Sequence, residues 1–440
     1  MALLRRYPWI KMLGAGLVLF LITVSPLMAA NETTPLASTK ETWIDRTTVR
    51  GMNIIVQKTN SKIVDMVLLL KSGSGLDDPH KKGTALVMNN LVWLKLNYAD
   101  FRFGEVGVET YSDYTLVKLR TTAKNTKKAL QEIKDLLSYP LYSYDTITDI
   151  KNFYQIDVMG MSPFAMAYYE FTEEFYGKEH PYNDRLDAAQ IKAISGSDVY
   201  QWYRKTYQPG NALLSISGAI PQNVNALKSF FTDIQTETVD RRLIIPPITL
   251  NTNRRVERED PNGILASVCI GYPAPRIWDP EYPAFRVISY YLEEYMHYFE
   301  ELRVKEGLFY AGYVIYNYLD KPKAPNIVFI SMVEPDSLPR VEERTLAVVS
   351  QIVKDGIPQA EIDRVVSAIK TGGSARMKEG GDLAVNNALS YYLQTEMALD
   401  QNLYPKLEQV KTEDIKKVAA KYFQSYIQAV YSPKERAENF

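Results

Sequence analysis

One plan of short strands and long helices runs twice along this chain, and that duplication constrains the fold more than any single motif. In the first pass, segments 52–57 and 63–70 are rich in β-branched and aliphatic residues and flank Thr59-Asn60-Ser61, which predicts a hairpin. Gly73 and Gly75 break the second strand, Asp78-Pro79 follows, and a helix is predicted over 83–96. Strands at 106–110 and 115–121 come next. Helices at 126–137, 144–176 and 196–207, a strand at 212–218 and a helix at 223–231 complete the pass. The second pass opens on a strand at 265–271 and on Asp279-Pro280, 201 residues after Asp78-Pro79. A helix over 282–302, strands at 308–318 and 327–333, and helices beginning at Leu338, Gln359, Leu383 and beyond Thr412 follow.

A repeated unit of about 200 residues accounts for the chain's length. Strands bunched between runs of helices, without strict βαβ alternation, predict an α+β fold of two similar consecutive halves, each a largely antiparallel sheet packed with helices. The expected boundaries are 43–235 and 254–435, joined by a linker at 236–253 where Ile245-Pro246-Pro247 and Asn251-Thr252-Asn253 carry no period.

Residues 1–30 read as a targeting signal. Arg5, Arg6 and Lys11 form a basic start, residues 12–24 an apolar core, and Ala29 and Ala30 a small-residue cleavage point. An apolar core of about 13 residues is short for a span needing roughly 20. Export is therefore expected, to the periplasm, with an uncleaved membrane anchor as the alternative. With 51 basic against 52 acidic residues and no long like-charged block, nucleic-acid binding is not expected. The single cysteine, Cys269, lies in an apolar strand-like run, so no internal disulfide forms and the thiol reads as a small core residue.

Candidate catalytic residues are few. The three histidines, His80, His180 and His297, stand about 100 residues apart and share no helix face, so they form no local zinc site. No G-x-S-x-G or P-loop is present.

The segment Ser72 to Gly75, then Asp78, then Lys82-Gly83-Thr84-Ala85-Leu86-Val87-Met88-Asn89-Asn90-Leu91 resembles the zinc-site segment of the pitrilysin/insulinase family of metallopeptidases. That family carries H-x-x-E-H on the helix. Its positions i and i+4 bind zinc and its i+3 carboxylate activates water, all three on one helix face. Here those positions are Leu86, Asn89 and Asn90, none of which suits the chemistry. The resemblance puts the remaining ligand position near Gln155 or Asp157, and neither is Glu. Phe175 to Tyr182 with its His-Pro-Tyr, Pro209 to Gly218, and Gly271 to Tyr282 also resemble the family, whereas Tyr290 to Phe299 departs from its Gly-rich turn. The stretch Glu301-Leu-Arg-Val-Lys-Glu-Gly-Leu-Phe-Tyr310 resembles the family's L-R-x-x-x-G-L-x-Y segment, whose arginine and tyrosine grip the substrate backbone.

The resemblance implies two halves enclosing a cavity, no metal on this chain and no catalysis by it alone. It implies the zinc-less subunit of a heterodimeric periplasmic peptidase, with Arg303 and Tyr310 binding a peptide or unfolded-protein substrate and zinc on an H-x-x-E-H partner. Homodimer formation in the partner's absence stays open. The alternative is a peptide-binding or scaffolding module of the cell envelope. On local sequence alone Arg303 also fits a weak ion pair with Glu300.

Overall fold

The computed structural model describes residues 44–433, except 99–103, 139–143, 160, 184, 221–223, 237–242, 261–262, 294–297, 299, 310, 379–380 and 394–402. Side chains at 144, 156–159, 224, 300, 301, 373–378, 381 and 382 also lie outside the description, and so does the predicted signal at 1–30. No helix of the described residues is long and apolar enough to cross a membrane.

The first half builds β1 (Ile44–Val49), β2 (Met52–Lys58), β3 (Ile63–Leu70), helix α1 (Thr84–Asn97), β4 (Glu105–Thr110) and β5 (Thr115–Thr122). Helices α2 (Thr126–Leu136), α3 (Tyr144–Met159), α4 (Pro163–Tyr176), α5 (Ala188–Ala193) and α6 (Gly196–Thr206) follow, then β6 (Ala212–Gly218) and α7 (Val224–Phe230). The strands join in the order β1-β2-β6-β3-β5-β4, antiparallel except where β2 runs parallel to β6. The helix expected over 144–176 is two helices. Ser162 caps α4 by accepting from the Ala165 amide, and Pro163 takes the first helical position, where its missing N–H costs nothing.

The second half builds β7 (Arg254–Asp260), β8 (Ala266–Pro273), α8 (Tyr282–Glu293), β9 (Ala311–Tyr316), β10 (Asn326–Val333), α9 (Leu338–Asp355), α10 (Gln359–Lys378), α11 (Gly381–Tyr392), α12 (Tyr404–Leu407), α13 (Thr412–Tyr422) and β11 (Ile427–Pro433). Its sheet runs β7-β11-β8-β10-β9, again antiparallel but for one parallel pair, β7 with β11. Of the helix expected over 282–302, Tyr282–Glu293 is described as regular helix, and a wide π-helical turn stands at Glu300–Lys305.

Residues alternate across a strand, so an ordinary two-layer sheet would leave every second residue of β3 wet. Instead β3 and β6 are buried almost throughout, as is β8. The reason is a reciprocal loan of helices. On one face of the first sheet, Met66, Leu68 and Leu70 meet helices of their own half. On the other, Ile55, Val67, Leu69 and Leu213 meet Ala384, Ala388 and Leu389 of α11, from the second half. In return, α4 of the first half sets Ala167, Tyr168, Phe171 and Phe175 on Cys269, Val328, Ile330, Ile427 and Ala429 of the second sheet. Cys269 is therefore a buried core residue, and burial pushes its thiol well above the usual range, away from thiolate chemistry.

Gly271 makes one of these loans possible. A Cβ there would lie 2.3 Å from the Phe171 ring and 2.9 Å from Val328. Gly271→Val should cost about 2–3 kcal/mol through overpacking at this crossing. A urea midpoint left unchanged by the substitution would show that Phe171 does not pack there in solution.

Candidate functional site

Two places were singled out by sequence, the degenerate metal positions on α1 and the Arg303 segment. Helix α1 is anchored first. The Asp77 carboxyl accepts from the Gly83 and Ala85 amides, both at 2.9 Å, which satisfies free amides at the start of the helix, while burial pushes its pKa up to about 7. Gly83 precedes the helix at φ +99°, where a side chain would be strained.

On this helix Asn89 is buried and its amide is fully partnered. Nδ2 donates to Thr110 Oγ1 at 2.6 Å and to Thr115 Oγ1 at 3.1 Å, while Oδ1 accepts from the Tyr207 hydroxyl at 2.8 Å. Thr115 passes the chain on to the Ser72 carbonyl at 2.9 Å, and Asn211 binds Ser72 Oγ at 2.6 Å. Two amide protons and an acceptor are thus committed to neutral partners from β4, β5 and the loop after α6. Asn90 donates to the Leu86 carbonyl at 2.9 Å and to the Tyr154 hydroxyl on α3. Leu86 is half-buried against the first core. Asn89 is thus the buried, hydrogen-bonded plug of this face, with Leu86 and Asn90 half-buried beside it, and no group of His, Cys, Asp and Glu suited to a metal occurs among the described residues. Gln155 is half-buried, and the side chain of Asp157 lies outside the described residues. The hydroxyl that reaches Asn90 from α3 belongs to Tyr154, one residue before the expected stretch. Only the helix phase relative to α1, which sequence does not carry, identifies it.

The histidines do not converge. His80 is exposed beside Asp78, His297 lies outside the described residues, and His180 is a structural residue. His180 Nδ1 accepts from the Tyr182 amide at 2.9 Å and Nε2 stands 3.3 Å from the Pro246 carbonyl, a pattern that needs the neutral ring protonated on Nε2. Burial lowers its pKa in the same direction.

The Arg303 segment is built differently. Leu302, Leu308 and Phe309 are buried in the second core and hold the turn down. Arg303, Val304 and Lys305 are exposed on the π-helical turn Glu300–Lys305. Gly307, at φ +66°, closes it: its amide donates to the Arg303 carbonyl at 3.0 Å and that of Leu308 to the Leu302 carbonyl at 2.9 Å. This is a Schellman-like closure widened by one residue. Tyr310 and the side chain of Glu300 lie outside the described residues.

Comparison with known proteins places this geometry. Residues 193–369 match the family described as "Peptidase M16 inactive domain". A solved protease from Helicobacter pylori has a TM-score of 0.80 at 19% identity, covering 89% of this chain and 100% of that one. The peptidase M16 inactive domain from Pseudomonas fluorescens follows, with a TM-score of 0.74 at 18% identity over 89% of this chain and 98% of that one. The first half of the periplasmic protease PqqL from Escherichia coli gives 0.67 at 14% identity, over 89% and 92% of the two chains. At these identities the structures establish the fold. No curated protein matches the chain.

Asn89→Ala removes the acceptor of the buried Tyr207 hydroxyl and the amide that donates to Thr110 and Thr115. The expected cost is about 2–4 kcal/mol of unfolding free energy. Asn90→Ala, at a half-buried position, should cost about 1 kcal/mol or less. Equal, small effects on the denaturation midpoints would contradict the plug.

Proposed function

We propose that this chain, whose residues 193–369 match the family described as "Peptidase M16 inactive domain" and whose fold is that of solved M16-like proteases, is the zinc-less subunit of a heterodimeric periplasmic metallopeptidase. A partner bearing H-x-x-E-H supplies the metal and the water-activating carboxylate. This chain supplies Arg303 and Tyr310, which hold an extended peptide or unfolded-protein substrate across that metal.

One contrast carries the reading. The position that would carry the water-activating carboxylate is a neutral, fully partnered Asn89, whereas Arg303 lies exposed on an unusual wide turn. A guanidinium fork binds a peptide carbonyl or carboxylate through two parallel hydrogen bonds, and a phenol hydroxyl at Tyr310 would donate to the oxyanion forming at the scissile carbonyl. The division of labour follows from that chemistry. The metal activates water on one chain, and preorganised donors on the other bind charge that develops in the transition state. The two-half fold of the protease from Helicobacter pylori and of the first half of PqqL supports placing the chain among such machines.

The purified chain alone should cleave nothing, and mixing it with an H-x-x-E-H partner should give peptidase activity that chelators abolish. In that pair Arg303→Ala should lower turnover by about 10² to 10³ with folding and assembly intact, the scale for one lost transition-state donor. Arg303→Lys should restore little, because a point charge does not reproduce the fork. Tyr310→Phe tests the hydroxyl in the same assay. Wild-type turnover in both variants would overturn the shared site and leave the peptide-binding or scaffolding module in its place.

A further inference from the structure

The wide turn that carries Arg303 is anchored at both ends to a single helix, α9. Before it, the buried Tyr298 places its hydroxyl 3.0 Å from Thr345 Oγ1 on α9 and 2.8 Å from Ser331 Oγ on β10, and its ring stacks on Phe309 at 5.6 Å. After it, the Glu306 carboxylate is gripped by two arginines of the same helix. Arg344 approaches Oε1 with Nε at 2.7 Å and Nη2 at 2.5 Å, and Arg340 Nη2 reaches Oε2 at 3.1 Å. Residues 340, 344 and 345 lie within one turn and a half of α9, so both anchors move together.

We propose that Glu306 is the positioning residue of the Arg303 turn: held by Arg340 and Arg344, its carboxylate fixes the register in which Arg303 is presented to a peptide. The inference rests on the reading of Arg303 as a peptide contact. A π-helical turn has a close competitor in the ordinary α register. Relaxing by one residue would swing each side chain by about 100° around the helix axis and take Arg303 off its target. Leu302 and Leu308 resist this from the core side. On the solvent side Glu306 immediately precedes Gly307, the residue whose positive φ closes the turn. Its side chain is only 18% exposed, and each of its oxygens has its own guanidinium. Arg340, at 62% exposed, and Arg344, at 38%, make pairs of the kind that add little to global stability. Three donors on one carboxylate nonetheless determine its orientation, so the clamp acts on direction more than on folding.

The test uses the full chain, with amide hydrogen exchange as one readout and the anisotropy of fluorescein-labelled β-casein as the other. Glu306→Gln should speed exchange at the Gly307 and Leu308 amides by about tenfold with the thermal midpoint nearly unchanged, the signature of local opening. It should weaken β-casein binding about as much as Arg303→Ala does, and the double variant should bind no worse than Arg303→Ala alone, because the two act as one unit. Glu306→Asp, which keeps the charge, should retain more of both properties than Glu306→Gln. Wild-type exchange and affinity in Glu306→Gln would overturn the clamp. So would a loss that adds in full to that of Arg303→Ala, since that would mark a separate contact. If Arg303→Ala itself leaves β-casein binding intact, the peptide-contact reading of Arg303 fails, and the exchange rates alone decide whether Glu306 holds the turn.

Discussion

Everything in this molecule depends on each half covering the other's sheet with one of its own helices. Antiparallel sheets commonly keep one face wet, but here α4 closes the second sheet and α11 closes the first. Neither half could separate without exposing a full face of Val, Leu and Ile. Polar contacts follow the same seam. The tip of the β4–β5 hairpin meets the loop between β9 and β10, where Ser112 donates to Asp320 at 3.1 Å and Lys323 pairs with Asp113 at 2.9 Å. Glu170, buried on the loaned helix α4, accepts from Arg185 of its own half at 2.5 Å and from Arg258 of the other at 3.2 Å. A buried carboxylate between two guanidiniums is costly to unpair, which fixes how α4 lies on the second sheet.

On this base the two halves have diverged chemically. In the first, the helix positions that match the resembled family's metal site hold two amides, Asn89 and Asn90, each hydrogen-bonded within the fold. A carboxylate at position 89 would be a buried charge with no metal opposite it, whereas an asparagine binds Thr110, Thr115 and Tyr207 with no charge to neutralise. The second half carries a wide turn held down by Leu302, Leu308 and Phe309. Its backbone leaves the α register at Glu300–Lys305, and its exposed residues include an arginine and a bare valine, Val304, at 60% exposure.

Much of the architecture was legible because its signals are local. The apolar runs of β3, β6 and β8 and the repeated order of elements all lie within short stretches of sequence. The break at Ser162-Pro163 was readable as a cap followed by a first-turn proline, yet the periodicity on either side concealed it. Strand β7, Arg254–Asp260, was not readable. Its six charged side chains look like a solvated loop, and it becomes a strand only through parallel pairing with β11, far along the chain, where its charges also guard an open sheet edge. The helix loan was equally hidden, since a doubly buried strand says that two covers exist and not which helices supply them. At the site, Leu86, Asn89 and Asn90 could be named from the family resemblance, but the closure around Asn89 depends on Tyr207 and Thr110, set by the fold.

The central claim is that this chain has given up the metal and kept the grip. Zinc content by elemental analysis tests it most directly, on the chain alone and on its complex with an H-x-x-E-H partner, both after dialysis against a weak chelator. The account predicts essentially no zinc on the isolated chain, even when loaded with excess metal, and about one zinc per heterodimer, the stoichiometry of a single catalytic centre. Stoichiometric, tightly held zinc on the isolated chain would contradict it.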